Sequence, residues 1–488
     1  MTVPIEDYAL IGDCKSAALV GRDGSIDWLC WPRFDSPACF AALLGRSEHG
    51  RWLIQPATGG IAKQRRYRAS TFVLETDFET AEGAVTLIDF MSVGSQHQNL
   101  VRMIIGRSGR VAMRSELIIR LGYGDVVPWI NRMADGTLRA IAGPDQLVLR
   151  TLAAVRGEDL KTVSEFTVSA GERVPFVLSY APSHLPLPTA IDVHAALART
   201  EAFWTKWAER CQYDGPWAEA VVRSHLVLKA LTYAPTGGIV AAPTTSLPEW
   251  PGGTRNWDYR FCWLRDATYS LLSLMNAGYF DEAKAWRDWL LRAVAGAPTR
   301  IQIMYGLAGE RDLAERELTF LPGYEKSLPV RIGNAAHSQL QLDVYGEVMD
   351  TFYQAKRNGL GDSEASWGLQ RALVSHLETI WQEPDEGIWE VRGARQHFTH
   401  SKVMAWVALD RAIRSAEEFR LEAPLGRWRA LREQIHEEVC RRGYNTELGS
   451  FTQCYDGKNL DASLLLIPLV GFLPAVDSRI RGTVEAIE

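Results

Sequence analysis

The hydrophobic pattern of the chain changes its period once, and this change limits the folds that the sequence can adopt. From about residue 50 to residue 185, apolar residues alternate with polar ones or form short runs between Gly- and Asp-containing turns. Phe72, Leu74, Thr76 and Phe78 fall on one face of such a strand. Short strands at this spacing predict an N-terminal antiparallel β-sandwich over residues 1–185.

From about residue 215 the apolar residues recur at helical spacing, and eight or nine helical segments are predicted between 215 and 488. Residues 186–214 are predicted to form a linker helix, and residues 215–488 an all-α domain. The connections between the helices are long and rich in Gly, Pro, Trp and charge, which is typical of functional loops. Three predicted apolar faces are Trp217/Val221/Ser224/Leu228/Leu231, Leu369/Leu373/Leu377/Ile380 and Trp428/Leu431/Ile435/Val439.

Charge and cysteine content exclude several classes of protein. A net charge of −6 over 488 residues gives no basic surplus, so we expect no nucleic-acid partner. No run reaches 18 apolar residues and the N-terminus lacks an apolar signal-peptide core, so we expect no membrane partner and a cytoplasmic location. The seven Cys show no CxxC spacing, so neither a disulfide framework nor a zinc site is expected. A homo-oligomer is compatible with the sequence.

Residues 253–266 form the densest functional-looking stretch, with aromatic residues, three arginines and two acids ahead of an apolar helix. The chain has 17 Trp, and sugar-binding clefts use aromatic faces because the C–H face of a pyranose packs on them. Arg265 and Asp266 begin the helix. Asp266 is either a helix N-terminal charge or, with Arg265, a clamp whose donors and acceptor match vicinal sugar hydroxyls.

Residues 385–393 place Glu390 directly after Trp389 in a Gly-bounded loop between helices. Burial beside an indole disfavours the charged form of a carboxyl group and raises its pKa. Glu390 is therefore either a proton donor to a glycosidic oxygen or an ordinary surface Glu.

Residues 397–406 contain His397 and His400, three positions apart, but no third ligand at metal-binding spacing follows, so no metal is predicted. Donors to sugar hydroxyls, from His400 and Lys402, or a helix N-cap are the favoured interpretations. Residues 333–347 are predicted to lead into a helix on which Gln339 and Asp343, and Asp343 and Glu347, share a face. This polar stripe either lines a cleft or is a solvated face.

Together these stretches resemble the family 15 glycoside hydrolases, in particular the bacterial glucoamylase- and trehalase-like members. The resemblance runs over essentially the whole chain. The segments that carry it are residues 24–37, 241–249, 257–266, 330–334, 342–347 and 387–390.

The resemblance implies a β-sandwich followed by an (α/α)6 toroid, with the active site among the loops at the toroid mouth. It implies that Arg265 and Asp266 bind the hydroxyls of the non-reducing-end glucose and that Glu390 is the general acid. Trp257, Trp263 and Trp389 would face the sugar. The implied reaction is inverting hydrolysis of an α-glucoside without a cofactor, with a second carboxylate about 6.5–9.5 Å from the acid as the general base.

The chain departs from the family pattern near its C-terminus. The family's general base follows the segment that resembles residues 459–466, and no acid in 459–488 has a context typical of it. We therefore expect the toroid to be incomplete and the base to lie in a missing segment. The chain is then a fragment, a short member completed by another chain, or a sugar-binding remnant. An inverting phosphorylase, with phosphate in place of the base, is a further alternative.

Overall fold

The computed structural model describes residues 3–360 and 363–488, and their contacts form two compact units. The first unit contains Met1–Pro235, Val240–Phe261 and Glu315–Asn334, and the second contains Thr236–Ile239, Cys262–Ala314 and Ala335–Glu488. The strands are β1 (Ala9–Gly12), β2 (Ala17–Val20), β3 (Ser25–Cys30), β4 (Ala38–Phe40), β5 (Arg51–Pro56), β6 (Gln64–Tyr67), β7 (Leu74–Thr80), β8 (Gly83–Met91), β9 (Gln98–Ile118), β10 (Trp129–Arg132), β11 (Leu138–Ala142), β12 (Asp145–Thr151), β13 (Arg156–Glu158), β14 (Lys161–Ser169), β15 (Arg173–Pro182), β16 (Thr245–Pro248), β17 (Asn256–Asp258), β18 (Cys262–Trp263), β19 (Met304–Tyr305), β20 (Arg316–Glu317), β21 (Arg331–Ile332), β22 (Tyr444–Asn445) and β23 (Ser450–Phe451). The helices are α1 (Val193–Ala208), α2 (Ala218–Ala230), α3 (Leu264–Asn276), α4 (Phe280–Ala293), α5 (Asp343–Arg357), α6 (Glu364–Ile380), α7 (Thr399–Glu418), α8 (Leu425–Arg442) and α9 (Ser478–Ile487).

Two antiparallel sheets that share the long strand β9 build the first unit. The N-terminal half of β9 pairs with β8 and β15, and its C-terminal half pairs with β5 and β14. Side chains from both sheets form one hydrophobic cluster, in which Trp52 of β5 and Phe176 of β15 pack edge to face. The predicted antiparallel sheet domain is confirmed, and the predicted face with Phe72, Leu74 and Phe78 is buried.

Two segments from the middle of the chain belong to the first unit, although they lie within the predicted helical domain. Val240–Phe261 contains β16, which pairs with β17, and Glu315–Asn334 contains β20, which pairs with β21. Leu321, Tyr324 and Val330 pack with Trp28 of β3 in a second apolar cluster. This packing joins residues about 300 positions apart. The local pattern that predicts a boundary at residue 215 therefore could not show that these segments belong to the first unit.

Helices α3 to α9 lie in the second unit, where α5 packs against α3 and α7, and α7 packs against α8. Trp428, Ile435 and Val439 form the buried face of α8, as predicted. The predicted face of α2 is wrong, because Trp217 and Ser224 are exposed and the helix buries His225, Leu226 and Ala230. The incomplete (α/α)6 toroid stays a prediction. Within the part of the chain that the structure describes, no helix has the length and apolar character needed to cross a bilayer.

Candidate active site

Arg265 and Asp266 lie in the first turn of α3, directly after the short strand β18. Leu264, Ala267 and Leu271 of this helix are buried in the second unit. The two charged side chains are partly exposed, and Arg265 Nη2 lies 3.3 Å from Asp266 Oδ2. The arginine also donates from Nη1 to the carbonyl oxygen of Ile388 at 2.8 Å. Arg265 therefore links the start of α3 to the loop that carries Glu390.

Glu390 lies in the loop between α6 and α7, and its carboxyl group turns into the second unit. The Trp263 indole donates to Glu390 Oε1 at 2.6 Å, and Arg265 Nη2 donates to the same oxygen at 3.4 Å. Glu390 adopts φ +52°, a left-handed conformation that costs a non-glycine residue about 1 kcal/mol or more. Such backbone strain occurs preferentially at functional sites.

The loop is fixed at several further points. Gly387 has φ +68°, and a Cβ at this position would lie 2.7 Å from the Phe398 ring, so only glycine fits. Asp385 Oδ2 accepts a hydrogen bond from the Leu342 amide at 2.9 Å, and Glu386 Oε2 accepts one from the Leu340 amide at 2.8 Å. Side chains of the loop thus hold the chain that leads into α5.

Burial raises the pKa of Glu390, while Arg265 and the Trp263 hydrogen bond oppose the rise. A raised pKa is what a general acid requires in order to hold its proton near neutral pH. Burial also opposes the charge of Arg265, but Asp266, Glu347 and Glu390 together keep its pKa above the ordinary value. The arginine therefore remains a cation that can stabilise the carboxylate left after proton transfer.

Asp343 and Glu347 form a second pair of acids, one turn apart on α5. They are 0% and 1% exposed, and none of their four carboxylate oxygens has a hydrogen-bond partner. Burial, with Asp385 adding to it and Arg265 opposing it, raises the pKa of Asp343 to about 7. Burial and Asp343 likewise raise the pKa of Glu347 well above its ordinary value. The stripe predicted as a cleft lining or a solvated face is thus buried beside Arg265.

The start of that helix corrects one detail of the prediction. The helix begins at Asp343, so Gln339 precedes it and does not share a helical face with Asp343. Asp385 Oδ2 accepts from the Leu342 amide at the N-cap position, so a side chain from a distant loop contributes to the helix start. Sequence spacing alone does not show such a contact.

His400 and Lys402 lie in the first turn of α7, which has Phe398 at its N-cap, so neither residue caps the helix. His400 is 3% exposed, neither ring nitrogen has a hydrogen-bond partner, and burial lowers its pKa to about 4. Lys402 Nζ donates to the carbonyl oxygens of Trp381 at 2.6 Å and Glu383 at 2.5 Å. The neutral imidazole keeps a donor and an acceptor to offer, whereas backbone carbonyls already hold the Lys402 ammonium.

The three predicted sugar-facing tryptophans have different environments. Trp263 is 1% exposed and contacts Glu390, whereas Trp389 is 51% exposed and donates from Nε1 to Asp461 Oδ2 at 2.8 Å. Trp257 lies on β17 in the first unit, where its indole donates to Glu249 and the Arg331 guanidinium lies 4.6 Å from the ring centre. The structure thus brings Trp263 together with Arg265, Asp266 and Glu390 within one unit.

Among residues 3–360 and 363–488, no group of three or more His, Cys, Asp or Glu side chains could hold a metal ion. Asp266, Glu347 and Glu390 instead act on the Arg265 guanidinium, whose pKa they raise.

The sequence profile "Glycosyl hydrolases family 15" matches residues 215–488, and the profile "Trehalase-like, N-terminal" matches residues 1–179. A trehalase of Mycolicibacterium smegmatis is 37% identical over 99% of this chain and 76% of its own length. A trehalase of Mycobacterium tuberculosis is 36% identical over 99% of this chain and 75% of its own length. A bacterial glucoamylase structure in complex with acarbose superposes with a TM-score of 0.71 at 12% identity, over 100% of this chain and 78% of that one.

These similarities and the site define a glycosidase with an antiparallel sheet domain and a helical domain in a glucoamylase-like fold. The chain belongs to glycoside hydrolase family 15, and its substrate is a carbohydrate. The family resemblance carried by the motifs is therefore confirmed.

Proposed function

We propose that this protein is an inverting α-glucosidase that releases glucose, with Glu390 as its general acid. The observation that carries the proposal is the environment of the Glu390 carboxyl group, which is mostly buried and touched on Oε1 by the Trp263 indole and Arg265. Because these donors hold Oε1, the proton belongs on Oε2, where it can pass to the glycosidic oxygen. Trp263 and Arg265 then stabilise the Glu390 carboxylate that forms.

Arg265 and Asp266 form the hydroxyl clamp for the glucose that is released. Asp266 Oδ2 is buried and makes no hydrogen bond, although it lies 3.3 Å from Arg265 Nη2. A buried acceptor without a donor is costly, and a sugar hydroxyl would supply that donor. His400, whose two ring nitrogens lack partners, is a further hydroxyl-binding residue.

The substrate that we favour is trehalose, because the curated relatives reported above are named trehalases. Gluco-oligosaccharides with α-1,4 or α-1,6 links are the alternative substrates. The inverting mechanism needs a second carboxylate on the far side of the sugar, which activates the attacking water. The motifs identify no acid of residues 459–488 as this base.

The test is glucose release from trehalose, maltose and isomaltose, measured for this chain and for a version extended from the genomic DNA to the length of its relatives. Each is compared with its Glu390→Gln variant, with and without inorganic phosphate. Turnover that Glu390→Gln abolishes and phosphate does not affect supports the hydrolase. Turnover only in the extended chain places the base in the extension.

Two outcomes would overturn the proposal. A requirement for phosphate would make the protein a phosphorylase. Glucose binding without turnover in both versions would make it a sugar-binding protein.

A further inference from the structure

Trp389 immediately precedes Glu390, yet the residue is 51% exposed. The ring is fixed at one edge, where Nε1 donates to Asp461 Oδ2 at 2.8 Å. An indole held by its N–H has a defined plane and an open apolar face. This is the arrangement on which the C–H face of a sugar packs.

Asp461 is itself firmly held. It is 7% exposed, Oδ2 also accepts from Gln453 Nε2 at 3.0 Å, and Oδ1 accepts from the Ser463 amide at 2.8 Å. Burial works against its charge, but the hydrogen bonds from Ser463, Gln453 and Trp389 hold its pKa below the ordinary value. Asp461 is therefore an ionised acceptor with three donors, and such charge-assisted bonds are strong.

Gln453 connects this anchor to the helix that carries His400. The Gln453 carbonyl oxygen accepts from the Thr399 amide at 2.8 Å, at the first residue of α7. Asp461 also lies close enough to His400 to favour its protonated form electrostatically. Asp461, which anchors the Trp389 ring, is thus connected through Gln453 to the start of α7, where the predicted hydroxyl-binding residue His400 lies.

The position of Trp389 in the chain indicates which sugar ring it meets. Glu390 contacts Arg265, whose pair with Asp266 forms the proposed clamp for the glucose that is cleaved off. Trp389 is not part of this contact network, because its indole is bonded to Asp461. Because the Trp389 indole lies beside the proton donor but outside the clamp, it is suited to contact the second sugar, whose glycosidic oxygen receives the proton.

We propose that Asp461 is a positioning residue that fixes the Trp389 ring as the platform for the leaving sugar. The inference rests on the proposed function, since it assumes that Glu390 protonates the bond between the two rings. Asp461 then sets the affinity for a disaccharide without touching it. It has little influence on a single glucose in the clamp.

The experiment compares binding of trehalose and of glucose by isothermal titration calorimetry, in the Glu390→Gln protein so that the disaccharide is not consumed. Asp461→Ala is expected to weaken trehalose binding about tenfold, as the loss of a charge-assisted hydrogen bond implies, and glucose binding less than about twofold. Gln453→Leu is the matched control, because it removes a different donor from the same oxygen and leaves the Trp389 bond in place.

A second set of variants separates positioning from a general loss of structure. Trp389→Phe removes the N–H donor but leaves the Ser463 and Gln453 bonds of Asp461, so it is expected to reproduce the selective loss of trehalose binding. Asp461→Ala combined with Trp389→Ala should bind trehalose no more weakly than Trp389→Ala alone, because both changes remove the same platform.

Equal losses for trehalose and glucose, or additive losses in the double variant, would overturn the inference and leave the proposed function intact. Absence of binding of both sugars to the parent Glu390→Gln protein, together with absence of turnover in the wild type, would overturn the proposed function and the inference with it.

Discussion

Replacing Asp343 with Asn should change how the stability of the protein depends on pH. Asp343 is completely buried, and its pKa rises from the ordinary 3.8 to about 7, through burial first and then the nearby Asp385, against the opposing charge of Arg265. In the unfolded chain the same carboxyl group loses its proton at the ordinary value. Between these pH values only the folded protein keeps the proton.

The sign follows from this difference in bound protons. A raised folded-state pKa contributes stability that is present below the unfolded value and is lost as the pH rises through the folded value. One pKa unit corresponds to about 1.4 kcal/mol. The rise of the Asp343 pKa from 3.8 to about 7 therefore means that the wild type is up to about 4 kcal/mol less stable at pH 7 than it is below the unfolded-state pKa. Asn cannot titrate and avoids this loss.

We therefore expect Asp343→Asn to gain stability relative to the wild type as the pH rises from about 4 to about 7. The gain is measured at several pH values by urea unfolding, monitored by tryptophan fluorescence, and separately by calorimetry. At roughly 2–4 °C for each kcal/mol, we expect the Tm of Asp343→Asn relative to that of the wild type to be several degrees higher at pH 7 than at pH 4.5. Glu364→Gln, at the exposed start of α6, is the control that removes a carboxylate from solvent.

Stability curves of Asp343→Asn and wild type that run parallel from pH 4 to pH 8 would refute the reasoning. They would mean that Asp343 is ionised in the folded protein and that Arg265 balances its charge. A constant offset between the curves would not matter, because only their difference in slope reports the proton.

Three further perturbations test other parts of the structure. Lys402→Met should lower the free energy of unfolding by about 2 kcal/mol, because two carbonyls lose a charged donor, and it should leave the affinity for glucose unchanged. A selective loss of glucose binding in calorimetry would instead make Lys402 a sugar ligand. Arg102→Met should destabilise the first unit by about 3–5 kcal/mol in urea unfolding, because it leaves Asp89 buried and unpaired. Adding Asp89→Leu should recover part of the loss, whereas full stability of Arg102→Met alone would contradict the expectation. The ring protons of His400, whose pKa is lowered to about 4 chiefly by burial, should show no NMR titration between pH 5.5 and pH 8, whereas a midpoint near the ordinary 6.5 would show that the ring is solvated.

The change in hydrophobic period was sufficient to predict a sheet region followed by a helical region. Both patterns arise from burial of one face of a local element, and such patterns are visible within a few turns of sequence. The apolar contacts of Leu321 and Val330 with Trp28 are long-range, and no local pattern contains them. The boundaries of the compact units therefore could not be predicted from the sequence.

The candidate site shows the same division. The motifs predicted Arg265, Asp266 and Glu390 as site residues, and the structure places them in contact, while their roles stay predictions. The hydrogen bond from Trp263 to Glu390 joins residues 127 positions apart, and only the folded chain shows that Trp263 is a buried partner of the acid. The burial of Glu347 could not be predicted either, because polar residues at helical spacing fit a solvated face equally well.

No motif predicts a role for Asp461, although it lies in residues 459–466, a segment that resembles the family. In the structure its carboxylate caps the short 3-10 helix Ala462–Leu466 by accepting from the Ser463 amide, and its bond to Trp389 spans 72 positions. The only sequence signal was its place in a stretch shared with the family.

The role of Glu390 as the proton donor is tested most directly by kcat/KM for trehalose, compared between the wild-type and Glu390→Gln forms of whichever version of the chain turns it over. Gln keeps the size of the side chain and can still accept from Trp263, but it cannot give a proton. We predict a loss of at least about 100-fold with unchanged thermal stability, as expected when a general acid is removed. A Glu390→Gln protein that retains activity within about threefold of the wild type would contradict this role.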